Sequence, residues 1–245
     1  QKPIVLVGKA VTFDTGGISL KPGQGMDEMK FDKCGGCTVL GIMKSVSELK
    51  LPINVVGIIP SVENMPGGEA YRPGDIIKLY NGKTAEILNT DAEGRLILAD
   101  ALAYGEKQYA PKAIIDFATL TGACIVALGN NVAAIVSNDK QLTKEITNSS
   151  KTTTEEIWEL PLTQDYMDMI KSDVADIKNV GIGKAAGTIT AAAFLKSAIK
   201  DTPWVHFDIA GVAWTQGAAT KQKPYNPKGA TGFGVRLILD YLQKL

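Results

Sequence analysis

Short apolar runs rich in Val and Ile recur along the chain, and between them lie longer stretches whose apolar residues fall at helical spacing. The runs Pro3–Val7, Ile53–Ile59, Thr84–Leu88, Ala113–Phe117, Val132–Val136 and Trp204–Ile209 predict strands. The stretches Met26–Leu49, Leu96–Gln108, Gln141–Ser150, Thr188–Lys200 and Gly234–Gln243 predict helices. Apolar strands alternating with helices predict an α/β fold: a mostly parallel, twisted central sheet with helices on both faces. Ligands of such sheets sit outside the carboxyl ends of the strands, which directs attention to the loops that leave them. The most polar stretch, Asn138–Glu156, reads as an exposed helix and turn or as a flexible loop.

Composition adds a size and a set of exclusions. With 245 residues and 45% hydrophobic content, the chain can bury a sizeable core as one domain over 1–245. Lys+Arg and Asp+Glu balance at 26 each, so no net field draws in a polyanion, and nucleic acid is not an expected partner. No stretch approaches the roughly 18 uninterrupted apolar residues of a membrane span, and "QKPIVLVGKA" lacks a signal-peptide layout, so a soluble cytoplasmic protein is expected. Because Gln1 leads directly into a strand pattern, a further N-terminal domain is expected upstream.

Three cysteines cannot form a disulfide framework. "CGGC", Cys34 to Cys37, offers too few ligands for a structural zinc, and small buried residues packing a helix are the expected reading, with a disulfide or a reactive thiol as the alternative. The only histidine, His206 in "WVHFDIAG", is expected to be structural on a buried strand, and a zinc site of the usual His type is excluded.

The candidate chemistry is carried by carboxylates. "NTDAEGRL", residues 89–96, sets Asp91 and Glu93 one residue apart with Arg95 following, between the run "TAEIL" and the helix pattern "LILADALAY". The first strand runs into "GKAVTFDTGGISLKPG", with Lys9, Asp14 and Lys21, and Asp32 falls early in the next helix. Singly, each has a plain reading: an Asp bonding its own turn, a solvated helix residue, a helix-start pair at the dipole. Together, four carboxylates at one sheet mouth would raise one another's pKa unless cations neutralised them. Oxygen-rich clusters of this kind suit two divalent metals roughly 3.5–4 Å apart that activate a bridging water.

"NTDAEGRLILADAL" is similar to the signature of the leucyl aminopeptidases, the M17 di-metal exopeptidases, and "VGKAVTFDTGGISLKPGQGMDEMKFD" resembles their first metal-binding segment. The resemblance continues through "DFATLTGA" and "FDIAGVAW" to "GATGFGVRLILDYL". It implies that Lys9, Asp14, Asp32 and Glu93 hold a tightly bound metal, with Lys9 as neutral amine, and that Asp14, Asp91 and Glu93 hold a second, exchangeable one, the Asp91 carbonyl contributing. Zinc or manganese is expected, cobalt or magnesium being compatible with such donors. By the same resemblance Lys21 binds the developing oxyanion and Arg95 holds a bicarbonate that acts as general base. Met29, Thr119, Ala210 and Ala213 would line an apolar pocket for Leu- or Met-like side chains, widened at Ala213, where bulkier residues occur in the family. Substrates would be peptides with a free N-terminus, and the assembly a homohexamer, a dimer of trimers, in which "GNNVAAIVSN" and "IAGVAWTQGAAT" are interface or core. A catalytically silent relative, kept as a scaffold or DNA-binding protein, is the competing reading; it would be expected to have lost at least one of Lys21, Asp91, Glu93 or Arg95, and all four are present.

Overall fold

A computed structural model describes residues 2–181, 183, 185–215, 226 and 228–245. In chain order its elements are β1 (Ile4–Gly8), β2 (Ala10–Asp14), a 3-10 turn (Met26–Phe31), α1 (Cys34–Glu48), β3 (Val55–Ile58), β4 (Ser61–Asn64), β5 (Ile76–Lys78), β6 (Thr84–Glu86), α2 (Gly94–Tyr109), β7 (Ala113–Ala118), α3 (Gly122–Leu128), β8 (Ala133–Ser137), α4 (Lys140–Thr153), β9 (Ile157–Glu159), α5 (Gln164–Asp168), β10 (Ile177–Lys178), α6 (Gly187–Lys196), β11 (Trp204–Asp208) and α7 (Val235–Gln243).

The central sheet has six strands in the order β3-β1-β7-β11-β8-β9. All neighbours are parallel except β8 against β11. Alternation along each strand feeds two cores: Ile4 and Leu6 face Val39, Ile42 and Leu237 on one side, while Val5 and Val7 face Leu98, Leu102 and Phe194 on the other. With both faces covered, every residue of β1, β7 and β11 is buried, which is why these strands read as largely apolar runs; the polar residues in them, Asp116, His206 and Asp208, are buried and hydrogen-bonded. In "GNNVAAIVSN" Ala133–Val136 of β8 are buried and in "IAGVAW" every residue is, so these parts are core; residues 216–220 of the second stretch lie outside the described residues. Among the described residues no helix is long and apolar enough to cross a membrane.

Three expectations are corrected. The helix over Met26–Leu49 is broken: the 3-10 turn ends at Asp32 and α1 starts at Cys34, where Gly36 N–H donates to Lys9 O at 2.7 Å. That break turns Asp32 inward, and it arises because α1 packs backbone to backbone on the end of β1. A Cβ on Gly35 would lie 2.1 Å from Phe117 O, and one on Gly8 2.5 Å from Gly35 O, distances only glycine permits. In "CGGC", accordingly, Cys34, Gly35 and Gly36 are buried but Cys37 is exposed, and all three cysteines are free.

The second correction concerns "TAEIL". Its strand, β6, belongs to a separate three-stranded sheet, β10-β6-β5, so the Asp91–Glu93 loop does not leave the central sheet. It reaches the sheet mouth because α2 packs across β1 and β7. Third, the predicted strands leave out residues 10–14, yet β2 there pairs with β4 in a two-stranded parallel ladder that ends at Asp14 and Asn64. His206 is buried on β11 as expected, its Nδ1 2.6 Å from Asp116 Oδ1, while Trp204 Nε1 donates to Asp116 Oδ2 at 2.7 Å.

Candidate metal centre

Lys9 follows β1, and its N–H donates to Phe117 O at 2.9 Å, which sends the side chain into the protein at 2% exposure. Its Nζ meets Asp32 Oδ1 at 2.9 Å, Glu93 Oε1 at 2.8 Å and Thr119 O at 3.0 Å. Asp14 closes β2; its Oδ1 accepts from Gly16 N and Asn64 Nδ2, each at 2.9 Å, and its Oδ2 pairs with Lys21 Nζ at 2.9 Å. Lys21 pairs with Asp91 as well. Asp14, Asp91 and Glu93 each bring a carboxylate oxygen within 4.8 Å of the others. The structure thus joins Lys9, Asp14, Lys21, Asp32, Asp91 and Glu93 in one cluster.

Its electrostatics follow from burial. Burial opposes the Lys9 ammonium, yet the charges of Asp32 and Glu93 outweigh it and hold the lysine above its ordinary range. Lys21 is likewise raised, against burial, by Asp14 and Asp91. Burial raises Asp32 and Asp91, with Lys9 and Lys21 respectively pulling them down. Two buried carboxylate oxygens, Asp32 Oδ2 and Glu93 Oε2, have no hydrogen-bond partner among the described residues. A buried acceptor without a donor is destabilising unless a cation meets it, so the donor set fits divalent ions.

The loop that carries Asp91 and Glu93 is tied from three sides. Thr90, fully buried, donates from Oγ1 to Gly16 O at 2.6 Å and accepts there from Ser19 N at 2.8 Å. Thr90 O accepts from Asn64 Nδ2 at 2.9 Å and Tyr71 OH at 2.7 Å, so Asn64 bridges Asp14 to this loop. Gly16 holds φ +86°, and a Cβ there would stand 2.5 Å from Ser19 O and 2.9 Å from Asp91 Oδ1. Glu93 sits at the N-terminus of α2, where the helix dipole favours a carboxylate.

Arg95 is buried; its Nη1 donates to Asn179 O at 2.7 Å, Nε has no partner among the described residues, and burial lowers its pKa to about 10. A cleft of about 460 Å³ opens over the cluster, with Met29, Leu120, Ile125, Val180, Ala210 and Trp214 as its apolar wall. Met29, Thr119 and Ala210 therefore line the cleft as expected of pocket residues. Thr119 also donates to Asp32 Oδ1 at 2.7 Å. Ala213 does not line it: at 2% exposure it belongs to the hydrophobic core behind the wall, and Trp214 stands at the cleft instead. Asn64, Thr90, Trp214 and Asn179 were not singled out from the sequence; Thr90 and Trp214 lie inside recognisable motifs, whereas Asn64 and Asn179 carry no local signal.

Residues 1–239 match the catalytic domain of the cytosol aminopeptidase family. A probable cytosol aminopeptidase of Cenarchaeum symbiosum (strain A) is 77% identical over 243 residues, 99% of this chain and 50% of that protein. Proteins of the same description from Geobacter sulfurreducens and Desulfotalea psychrophila are each 54% identical, over 99% and 100% of this chain and 48% of their own lengths. The chain spans about half the length of these curated relatives. It belongs to the cytosol aminopeptidase family, over the extent of that family's catalytic domain.

Proposed function

We propose that the protein is a metal-dependent aminopeptidase that releases N-terminal residues, Leu- or Met-like ones preferentially, from peptides with a free amine. The observation that carries this reading is the convergence of five donor residues around two buried carboxylate oxygens that lack partners. Lys9, Asp14, Asp32 and Glu93 would hold one ion, zinc or manganese, with the ion taking the place of the Lys9 proton so that the lysine binds as the neutral amine, and Asp14, Asp91 and Glu93 would hold the other. Bound there, two such ions supply polarisation of the scissile carbonyl and a water whose pKa approaches neutrality.

The chain's own groups do the rest. Lys21 lies between Asp14 and Asp91 with its side chain 22% exposed toward the cleft, so its ammonium meets the negative charge that appears on the carbonyl oxygen only in the transition state. Arg95, with Nε unpartnered, is the group that would hold a bicarbonate, for which general-base chemistry is the contribution. Met29, Ala210 and the neighbouring wall exclude water from the first side chain and favour apolar ones.

Assembly as a homohexamer, a dimer of trimers, belongs to the same reading, as does a cytoplasmic location. What supports the assembly is that large apolar side chains such as Leu20 (62% exposed) and Val126 (89% exposed) are left for a neighbouring copy to cover. The test compares leucyl peptides with free and N-acetylated termini before and after chelation. Cleavage of the free form alone, abolished by chelator and restored by manganese or zinc, is expected; equal cleavage of both forms overturns the proposal, because an acetylated nitrogen is no metal ligand.

A further inference from the structure

Asn179 is fully buried at the end of β10, outside the motifs that carry the metal ligands. Its N–H donates to Glu86 O at 2.9 Å, which continues the pairing of β10 with β6 and sets the side chain beside the segment that follows β6. That segment, from Leu88 to Ala92, has neither strand nor helix to satisfy its backbone. The Asn179 amide supplies the partners: Oδ1 accepts from Leu88 N at 2.8 Å and Asn89 N at 3.4 Å, and Nδ2 donates to Asn89 O at 2.6 Å and, at 3.5 Å, Ala92 O. The Asn179 carbonyl meanwhile accepts from Arg95 Nη1 at 2.7 Å. Alongside Thr90 and Asn64, Asn179 therefore ties both ends of the loop that presents Asp91 and Glu93, and it also holds the guanidinium further along α2.

We propose that Asn179 is a positioning residue for the reaction, acting through the 88–92 loop and Arg95 on the relative placement of Asp91, Glu93 and the guanidinium. The inference rests on the aminopeptidase reading of the site. Only an amide fits both halves of the arrangement, since a carboxylate cannot donate to Asn89 O and an aliphatic side chain can neither donate nor accept. Loosening by a fraction of an ångström at this point is transmitted to the ligands, because no other side chain bonds both Asn89 and Ala92 among the hydrogen bonds of the described residues.

The test uses the full chain loaded with manganese, leucine 4-nitroanilide as substrate, and the variants Asn179→Asp, Asn179→Ala and Asp91→Asn. For both Asn179 variants kcat per folded molecule is expected to fall roughly 10–100-fold with KM little changed, and calorimetric titration with manganese is expected to show weaker binding of one of two ions. Asn179→Asp keeps the acceptor for Leu88 N, so it protects the strand pairing if the alanine variant is unstable. Wild-type kcat and wild-type manganese titration in a folded Asn179 variant overturn the proposal. So do losses that track only the folded fraction in thermal melts, or variants recovered only unfolded, because Asn179 would then serve stability alone. Asp91→Asn separates the two levels: if it too binds and turns over normally, the metal-centre reading fails, whereas its loss beside intact Asn179 variants sinks only the positioning role.

Discussion

Gly94→Ala adds one methyl group at the first residue of α2, and the structure sets its consequences on two scales. A Cβ there would lie 2.5 Å from Lys9 Cε and 2.8 Å from both Cδ and Nζ, whereas carbon–carbon contacts are favourable at roughly 3.5–4.0 Å. Something must move by about 1 Å. Lys9 is 2% exposed and held at Nζ by Asp32, Glu93 and Thr119, so it cannot swing into open space. Alanine's better helix propensity stabilises by at most about 1 kcal/mol, and overpacking costs about 1–3 kcal/mol. The net loss is then roughly 0–2 kcal/mol, a Tm lower by a few degrees at about 2–4 °C per kcal/mol for a chain of this size. Activity is the more sensitive readout, because a misplacement of about 1 Å lowers rate by roughly 10²-fold. Gly105→Ala is the control: it lies in the same helix, its Cβ would meet Ile58 Cδ1 and Val5 Cγ1 at 3.1 Å, and it is remote from the cluster. Thermal melts and kcat/KM on leucine 4-nitroanilide should show a collapse of turnover for Gly94→Ala alone, with Gly105→Ala, whose contacts need give by only a few tenths of an ångström, keeping its activity. Full turnover in Gly94→Ala, or an equal loss in Gly105→Ala, refutes the reasoning.

Lys21→Ala is expected to lower kcat roughly 10²–10³-fold with ion content intact, while Asp91→Asn and Glu93→Gln reduce ion content; metal analysis showing Lys21→Ala emptied of ions makes Lys21 a ligand. Thr119→Val keeps the pocket volume but removes the 2.7 Å bond to Asp32 Oδ1. A bond to a charged group contributes about 1.5–3 kcal/mol, so ion affinity should fall by roughly 10–100-fold with the preference for Leu- or Met-like side chains unchanged, and undiminished affinity contradicts that role. For His206 burial works against the imidazolium but Asp116 outweighs it, leaving the folded pKa above the ordinary 6.5. A raised pKa means the pair's stabilisation is complete below about pH 6.5 and is lost as pH rises through the folded value. Urea midpoints of wild type should therefore decline from pH 6 to 9 relative to His206→Gln, and parallel profiles would show that the pair does not titrate there.

Periodicity exposed the core strands because burial on both faces leaves few polar positions to blur them: β1 has none and β7 only Asp116. It failed where the decisive contact is distant in sequence. Nothing local separates Phe31 from Cys34, yet the helix breaks there, since Gly35 and Gly36 close onto β1 and β7 and Asp32 must turn toward Lys9. β2 and β4 are short and two-stranded, and β10 has two residues, too few for a period to register.

The site divides the same way. The charged members of the cluster were legible because a long motif binds them to one another, although each taken singly has a plain reading. The neutral residues that hold them were not. Asn64 and Asn179 serve through backbone groups 26 to 91 residues away, and a lone asparagine has the composition of any turn. Even the correctly placed Asp91–Glu93 loop was located by an argument whose premise fails, since its strand lies outside the central sheet. What brings it to the mouth is the packing of α2, and what fixes its shape there is Thr90, Asn64 and Asn179. A cluster of like charges is held in one geometry by neutral amides and hydroxyls because these supply directional bonds without adding to the repulsion among the carboxylates.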